Sequence, residues 1–490
     1  MSMPFAFGRR PHWRARHLVV AAVLGVLALT GPGTAKSAPP LLETGFFDPN
    51  ASAGGPGGVG YASESLAYSR SRRAGATIVR IPVFWERTEP NRGNYNWGEL
   101  DRQVGTAVAN HLKPLLVLQS APRWAEQGSY GRTYRAGVNN PRPSDFGNFA
   151  AAVAARYNGI LQPRVRLFQA WNEPNNSFFF QPQFENGRPV SPDLYRELVN
   201  AMAGSVKSVH ADNLVVAGGS SPFGRTGTVA PLVFMRRLLC LSNTNKVNCG
   251  SRTRFDIWAH HPYTSGGPTH TSYRPNDVQI GDLPRMRRAL LAARRGGRIE
   301  TGQGKVRFWV TEFSWDTKPP DSRGVPSVRH ARWVSEALYR MWLSGVSLVT
   351  WTQLRDYPFP AFAYQAGFYR WEAGLDRFNK PKLSLRAFRF PFVAFRRRGG
   401  IRVWGRSPTS ESVHIVIQRK TSRGWVRLAR VSPNSHGIFS RRISTSKTKG
   451  IVRARWVGGR QSSVPFILFY RSPTPNVPVS PIGCGGGIPC

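Results

Sequence analysis

Two glutamates stand directly after apolar runs of strand-like sequence. Residues 165–170 lead into Glu173, and residues 306–310 lead into Glu312. Such a pair is informative because the chain has only 26 Asp and Glu among 490 residues. The carboxyl ends of parallel strands meet on one face of an α/β barrel, so the two side chains can face each other. Facing carboxyl groups suit glycosidic bond cleavage, in which one protonates the leaving oxygen and the other attacks or stabilises an oxocarbenium-like centre.

The segments that position these glutamates predict an α/β fold. Apolar runs alternate with amphipathic, helix-like stretches, and the runs are residues 44–47, 77–83, 114–118, 165–170, 214–217, 255–259, 306–310 and 347–351. They are rich in Val, Ile and Leu without regular alternation, which is typical of strands buried on both faces. Eight strands close a TIM barrel, so we predict a (β/α)8 barrel over residues 43–392, with the glutamates after strands 4 and 7.

The composition changes after Pro391. Residues 393–490 contain 18 Lys and Arg but a single acid, Glu411. Segments rich in β-branched and aromatic residues, separated by Gly and Ser, are residues 401–404, 413–418, 425–431, 437–442, 450–456 and 466–469. We predict a small antiparallel, β-sandwich-like accessory domain over residues 393–471 and a Pro/Gly-rich tail over residues 472–490.

The chain is strongly basic, with a formal net charge of +42. Such a charge attracts polyanions, including acidic wall polymers and uronic polysaccharides. Because the cations are spread along the chain without a recognition-helix or zinc-finger pattern, we expect no specific nucleic-acid partner. For the basic C-terminal domain we predict an acidic cell-wall polymer as partner, and the alternative is a structural cap on the barrel.

The N-terminus has the features of an export signal. Arginines precede an apolar stretch at residues 18–29, and small residues at 33–35 offer a cleavage site, so we predict a signal peptide over residues 1–35. An uncleaved anchor is the alternative. Cleavage would leave a mature chain with no membrane span, secreted or associated with a bacterial cell wall. Export permits disulfides, and of the three possible pairings we favour the local ones, Cys240–Cys249 and Cys484–Cys490.

Other chemistries lack their motifs. His260 and His261 are adjacent rather than at helical spacing, and no Cys/His cluster accompanies them, so no metal site is expected. The run after the fifth strand lacks a Gly-x-Ser-x-Gly nucleophile elbow, and no Gly-Lys-Ser loop or Gly-x-Gly-x-x-Gly motif is present. We therefore expect no cofactor.

The residues around the two glutamates carry a family resemblance. Trp171-Asn172-Glu173-Pro174 after strand 4, together with Glu312 after strand 7, resemble clan A of the glycoside hydrolases, most closely family 39 and its family 5 neighbours. The resemblance covers roughly residues 43–390. It implies a retaining, double-displacement hydrolase of O-glycosidic bonds, with Glu173 as acid/base and Glu312 as nucleophile. It also implies that Asn172 binds the sugar 2-hydroxyl.

Four further positions match the same pattern. Arg80 resembles the strand-2 arginine that pairs with the nucleophile, and Trp351 resembles the tryptophan that floors the sugar site. His261 and Tyr263 end strand 6, where the family has a histidine and a tyrosine near the nucleophile, although His261 could instead be a packing residue. Gln119 stands at the end of strand 3, where clan A members often have histidine, and this departure leaves the substrate open.

Three rival functions fit the same sequence, and one of them is a surface protein that binds polyanions through its charge alone. A transglycosylase would use the same site with a sugar acceptor, and a non-catalytic cell-wall or glycan-binding protein would keep the barrel without turnover. The sugar, the linkage, and endo or exo action are not encoded in any motif. For the hydrolase, we expect the charge of Glu312 to raise the pKa of Glu173 toward the operating pH.

Overall fold

The computed structural model describes residues 41–49, 63–128, 135–362, 364–372, 380–409 and 413–468. The predicted signal peptide, the C-terminal tail and the predicted Cys484–Cys490 pair lie outside these residues. The other predicted disulfide, Cys240–Cys249, is confirmed, with the two Cα atoms 5.0 Å apart.

The described residues contain a closed barrel of eight parallel strands, as predicted. The strands are β1 (Glu43–Phe47), β2 (Ile78–Phe84), β3 (Lys113–Gln119), β4 (Leu167–Ala170), β5 (Leu214–Ser220), β6 (Ile257–His260), β7 (Arg307–Val310) and β8 (Val346–Thr352). Each pairs with its neighbours in sequence, and β8 closes the barrel on β1 with Glu43 opposite Leu348. Every strand overlaps a predicted apolar run.

Helices connect the strands and cover the barrel. Within the described part of the chain they are α1 (Glu64–Arg73), α2 (Trp85–Thr88), α3 (Gly98–Ala109), α4 (Pro143–Arg156), α5 (Ser191–Val209), α6 (Pro231–Leu238), α7 (Leu283–Arg295), α8 (Ser327–Leu343) and α9 (Leu383–Arg389). Proline occupies the first turn of α4, α5, α6 and α7, where its fixed φ favours helix initiation and no N–H is needed. Among the described helices, none is both long enough and apolar enough to cross a membrane.

The barrel interior is filled by side chains rather than open. Inward-facing apolar residues of seven strands form one buried cluster, which comprises Ile78, Leu115, Leu167, Leu214, Val216, Ile257, Ala259, Trp309 and Leu348. A larger cluster lies between the strands and the helices and continues into the C-terminal domain. A packed interior confines ligands to the loops at the strand ends, which places the functional site there.

The C-terminal domain consists, in its described part, of two antiparallel sheets. Its strands are β9 (Phe392–Arg397), β10 (Gly400–Arg406), β11 (His414–Thr421), β12 (Gly424–Val431), β13 (Ile438–Ser444), β14 (Ile451–Val457) and β15 (Phe466–Ile467). The orders are β9-β10-β13 and β12-β11-β14-β15. The prediction of a barrel followed by a β-rich domain is confirmed, although β9 was not among the predicted segments.

The two domains share a packed interface. On α8, Tyr339 and Trp342 lie against Trp404 of β10, with ring centroids 5.4 and 5.6 Å apart. Arg406, buried at the end of β10, donates to the carbonyl oxygen of Leu42 and the hydroxyl of Thr44, both at 3.0 Å. These contacts lie at the amino-terminal start of β1. The β-domain therefore supports the end of the barrel opposite the loops that follow the strands.

Candidate active site

Six of the seven residues predicted for the site lie together at the carboxyl ends of the strands, linked by hydrogen bonds and close ion-pair contacts. Arg80 projects from β2. Asn172 and Glu173 follow β4, His261 and Tyr263 follow β6, and Glu312 follows β7. Except for the half-buried Tyr263, these residues expose no more than 6 % of their surface. The strand ends thus gather residues that are up to 232 positions apart in the chain.

The chain turns sharply where it presents Glu173. Trp171 and Glu173 both have positive φ, 62° and 41°, which is uncommon for residues other than glycine. The Trp171 N–H donates to the carbonyl of Leu118 at 2.9 Å, and the Glu173 N–H donates to that of Gly219 at 3.1 Å. These bonds to the neighbouring strands hold the unfavourable backbone conformation, a kind of strain that clusters at functional sites.

The Glu173 carboxyl group is buried and has specific donors. Its Oε1 lies 3.1 Å from His261 Nδ1, and its Oε2 accepts from Asn176 Nδ2 at 3.0 Å. Burial is the main reason that the pKa of Glu173 is raised to about 7, against the opposing effects of the Asn176 hydrogen bond and the Arg80 charge. A carboxyl with this pKa can carry a proton near neutrality. The prediction that the charge of Glu312 raises the pKa of Glu173 is wrong, because desolvation is the dominant cause.

Arg80 bridges the two halves of the site. Its Nη1 lies 2.9 Å from Glu312 Oε1, and its Nη2 donates to Asn172 Oδ1 at 2.7 Å. The guanidinium also lies over the ring of Phe47, 4.5 Å from its centroid. One planar side chain therefore fixes Glu312 and Asn172 relative to each other, which a lysine ammonium could not do with the same geometry.

Glu312 has both carboxylate oxygens engaged. Opposite the Arg80 contact, its Oε2 accepts from Tyr263 Oη at 3.1 Å. The Tyr263 hydroxyl also lies 2.8 Å from Thr352 Oγ1 at the end of β8. These contacts orient the carboxylate from both sides and leave few ways for it to rotate.

His261 lies between the two carboxyl groups. Its Nδ1 is 3.1 Å from Glu173 Oε1 and 3.8 Å from Glu312 Oε1, and its Nε2 is 3.1 Å from Thr311 Oγ1. Burial lowers the pKa of His261 to about 4, so the ring is neutral at pH 7. When Glu173 is ionised, its carboxylate can only accept, so in that state we assign the His261 proton to Nδ1, and Nε2 then accepts from the Thr311 hydroxyl.

The neighbouring histidine has a different environment. His260 lies near Ser220 Oγ and the carbonyl of Val278, at 2.9 and 2.8 Å, and contributes to packing. Gly219 makes room for Gln169: a Cβ there would lie only 2.6 Å from Gln169 Nε2, although its 3.5 Å distance to His261 Nε2 would be an ordinary contact. With φ at 64°, this position favours glycine on both counts.

Trp351 lies outside this group of six residues. Its ring stacks on Phe368 at 4.7 Å, its Nε1 donates to the carbonyl of Ala366 at 2.9 Å, and 1 % of its surface is exposed. The predicted sugar contact of Trp351 stays a prediction. Gln119, at the end of β3, is also buried.

Three residues of the site were not identified from the sequence. Asn176 contacts Glu173, Thr311 contacts His261, and Thr352 contacts Tyr263. The two threonines could have been found from the sequence, because Thr311 precedes Glu312 and Thr352 follows Trp351. Among the residues the structure describes, no group of three or more His, Cys, Asp or Glu side chains is arranged to hold a metal ion.

Solved structures of family 39 glycoside hydrolases share this fold. One, from the gut symbiont Bacteroides cellulosilyticus WH2, is 17% identical, with a TM-score of 0.51 over 83% of this chain and 80% of that chain. A family 39 β-xylosidase from Caulobacter crescentus is 16% identical, with a TM-score of 0.50 over 78% of this chain and 84% of that chain. No protein-family model and no curated protein matches the sequence. The resemblance to clan A, most like family 39, is thus confirmed at the level of the fold.

Proposed function

We propose that this protein is a retaining glycoside hydrolase, with Glu173 as acid/base and Glu312 as nucleophile. The observation that carries the proposal is that one nitrogen of His261 lies close to a carboxylate oxygen of each glutamate. The two oxygens can be no farther apart than the 3.1 and 3.8 Å distances laid end to end. Two carboxyl groups that meet at one imidazole nitrogen fit the ~5–5.5 Å separation of retaining enzymes better than the ~6.5–9.5 Å of inverting ones.

The contacts support different roles for the two glutamates. Glu173, with its pKa raised to about 7 by burial, can protonate the departing glycosidic oxygen. Glu312, held by Arg80 and Tyr263, attacks the anomeric carbon, and the bond to the leaving group breaks as a glycosyl ester to Glu312 forms. In the second step, ionised Glu173 takes a proton from water. The oxygen of that water attacks the anomeric carbon, which releases Glu312 and regenerates protonated Glu173.

Asn172 and His261 support this chemistry by position. The Asn172 side chain is held by Arg80, which suits the proposed contact with a sugar 2-hydroxyl. Neutral His261 donates to Glu173 without placing a second positive charge beside Arg80. Carbohydrate is therefore the proposed substrate class. The Cys240–Cys249 disulfide supports the proposal that the chain is exported.

The test uses a panel of aryl xylosides, glucosides, arabinosides and uronides. Glu312→Ala should abolish turnover, whereas Glu173→Ala should retain turnover of substrates whose leaving group departs without a proton. Azide should restore the second step in Glu173→Ala, because a strong nucleophile needs no general base. Glu300→Ala is the matched control, since that exposed carboxylate precedes β7 at the other end of the barrel.

The outcomes separate the rival functions. Equal loss on all substrates in both variants, with no azide rescue, would contradict the assigned roles. Transfer of the glycosyl group to added sugar in preference to water would identify a transglycosylase. Sugar binding without turnover by the unaltered protein would identify a glycan-binding protein.

A further inference from the structure

A second concave site lies between the barrel and the β-domain. It has a volume of about 870 Å³ and is formed by the end of α1, the start and body of α9, and the segment after β14. None of its lining residues belongs to the candidate active site. Among the described residues its wall includes five arginines, Arg73, Arg386, Arg389, Arg453 and Arg460, and we call this feature the arginine cleft.

The positive charge of the cleft has no acidic counterpart in the described part of the chain. No described Asp or Glu lies within ion-pair distance of any of the five arginines. Lys382, which also lines the cleft, is paired with Asp356 at 2.6 Å and adds no free charge. Five cations around one concave surface create a strong local positive potential, which favours an anionic ligand.

Two of these arginines are held in place by neutral partners. Arg386 Nη2 donates to the carbonyl of Ser463 at 2.9 Å, and Arg453 Nε donates to Gln418 Oε1 at 2.9 Å. Burial lowers the pKa of both side chains, and the charges of Arg455 and Arg386 lower that of Arg453 further. The protein thus keeps like charges near one another at an energetic cost that a bound anion would relieve.

Apart from Lys382, Gln461 and Ser462, the remaining wall of the cleft is largely apolar. Leu383, Leu385, Phe390 and the half-buried ring of Tyr369 contribute to it. Aliphatic and aromatic surfaces suit the C–H faces of sugar rings, whereas guanidinium forks match carboxylates with two parallel hydrogen bonds. A bare inorganic anion would use the charge but leave these apolar side chains without contact.

We propose that the arginine cleft binds an acidic oligosaccharide through its uronate carboxylates, with sugar rings against Tyr369 and the leucines. This gives the basic C-terminal region a specific binding site in place of a diffuse attraction. The proposal does not depend on catalysis at Glu173 and Glu312, because it is tested by binding alone.

The experiment measures binding of hexagalacturonate to the full-length protein by calorimetry, at about 0.15 M NaCl to screen exposed charges. The test variant is Arg389→Gln/Arg460→Gln. The matched control is Arg402→Gln/Arg423→Gln, which removes the same charge from exposed positions of the β-domain outside the cleft. We expect the test variant to weaken binding roughly tenfold or more, and the control less than about twofold. Neutral xylohexaose should bind at least about tenfold more weakly than hexagalacturonate at this site.

Each other outcome overturns the proposal. Equal weakening in both double variants would show general charge attraction, and absence of binding would show that the cleft takes no uronate. Tighter binding of inorganic polyphosphate than of hexagalacturonate, lost in the test variant, would identify a phosphate polymer as ligand. If the double variant is unstable, Arg460→Gln alone replaces it in the binding test. Arg460 is exposed, so the single variant should unfold at the same temperature as the original protein.

Discussion

The candidate active site and the arginine cleft hold their arginines in opposite ways. At the strand ends Arg80 is paired with Glu312 and bonded to Asn172, and its charge is used to hold other groups in position. In the cleft, Arg386 and Arg453 are bonded to neutral groups, and no carboxylate among the described residues pairs with their charges. An arginine paired with a carboxylate is held in position, but its positive potential is largely cancelled. An arginine held by neutral groups is also fixed in position and keeps its positive potential. The first arrangement suits covalent chemistry and the second suits attraction of an anion.

Arg406 provides a third case, in which a buried cation serves stability. It donates to the carbonyls of Leu42 and Phe388 and to the hydroxyl of Thr44. Burial lowers its pKa to about 10, so it keeps its charge at neutral pH. A single arginine of β10 thus joins the β-domain to the amino-terminal end of the barrel. This contact favours a structural cap on the barrel over wall adhesion as the role of the β-domain. A cap can also contribute residues to the arginine cleft.

The largest effect on activity should come from removing the charge of Arg80, the arginine that is paired with Glu312. Arg80→Met should lower kcat/KM by about 10³-fold on aryl glycosides, because Glu312 loses its buried partner and Asn172 its anchor. Arg80→Lys should recover part of this loss, since an ammonium keeps the charge without the double contact. Steady-state kinetics measure both.

The control for that comparison is an exposed ion pair. Arg237, paired with Asp193 and 44% exposed, should tolerate Arg237→Met with kcat/KM within about twofold. Near-normal activity of Arg80→Met would show that the nucleophile does not depend on this arginine, and the comparison between the active site and the arginine cleft would lose its basis.

An intermediate effect is expected at the structural cation. Arg406→Met should lower the free energy of unfolding by about 2–4 kcal/mol, because three hydrogen bonds are lost and buried carbonyls are left without a donor. The kcat of the folded variant should stay within about twofold of the original, because the contacts lie at the far end of β1. Chemical denaturation and kinetics are the measurements. Arg402→Met, at an exposed position of the same strand, should change stability by no more than about 0.5 kcal/mol. A loss of kcat with unchanged stability would contradict the division of roles.

The smallest effect concerns the proton on Glu173. Since the acid must be protonated and its pKa is raised to about 7, kcat/KM should fall as the pH rises through about 7. The Asn176 hydrogen bond favours the ionised form, so Asn176→Ala should move this basic limb to higher pH by up to about one unit. The pH profile of Asn158→Ala, a control far from Glu173 in the loop after α4, should match the original. Movement of the Asn176→Ala limb to lower pH would contradict the assignment of the limb to Glu173.

The fold was predictable because its signals are local. Each barrel strand is an apolar run followed within a few residues by polar loop residues. Glu173 and Glu312 were identified because they stand just after such runs. Asn176 was missed because its contact with Glu173 depends on the positive φ of Glu173. The backbone preferences of glutamate do not predict that conformation. Thr352 was missed because only closure of the barrel brings the end of β8 beside Tyr263.

The amino-acid sequence by itself determined the order of the strands, the residue types at their ends and the change to an arginine-rich β-domain, since these follow from neighbours along the chain. Only the tertiary structure decided which arginines meet a carboxylate, which meet carbonyls and which surround a cleft. It also decided that desolvation, rather than the charge of Glu312, raises the pKa of Glu173. Burial and counter-charges are supplied by residues distant in sequence, and electrostatic free energies depend on where those residues lie in space.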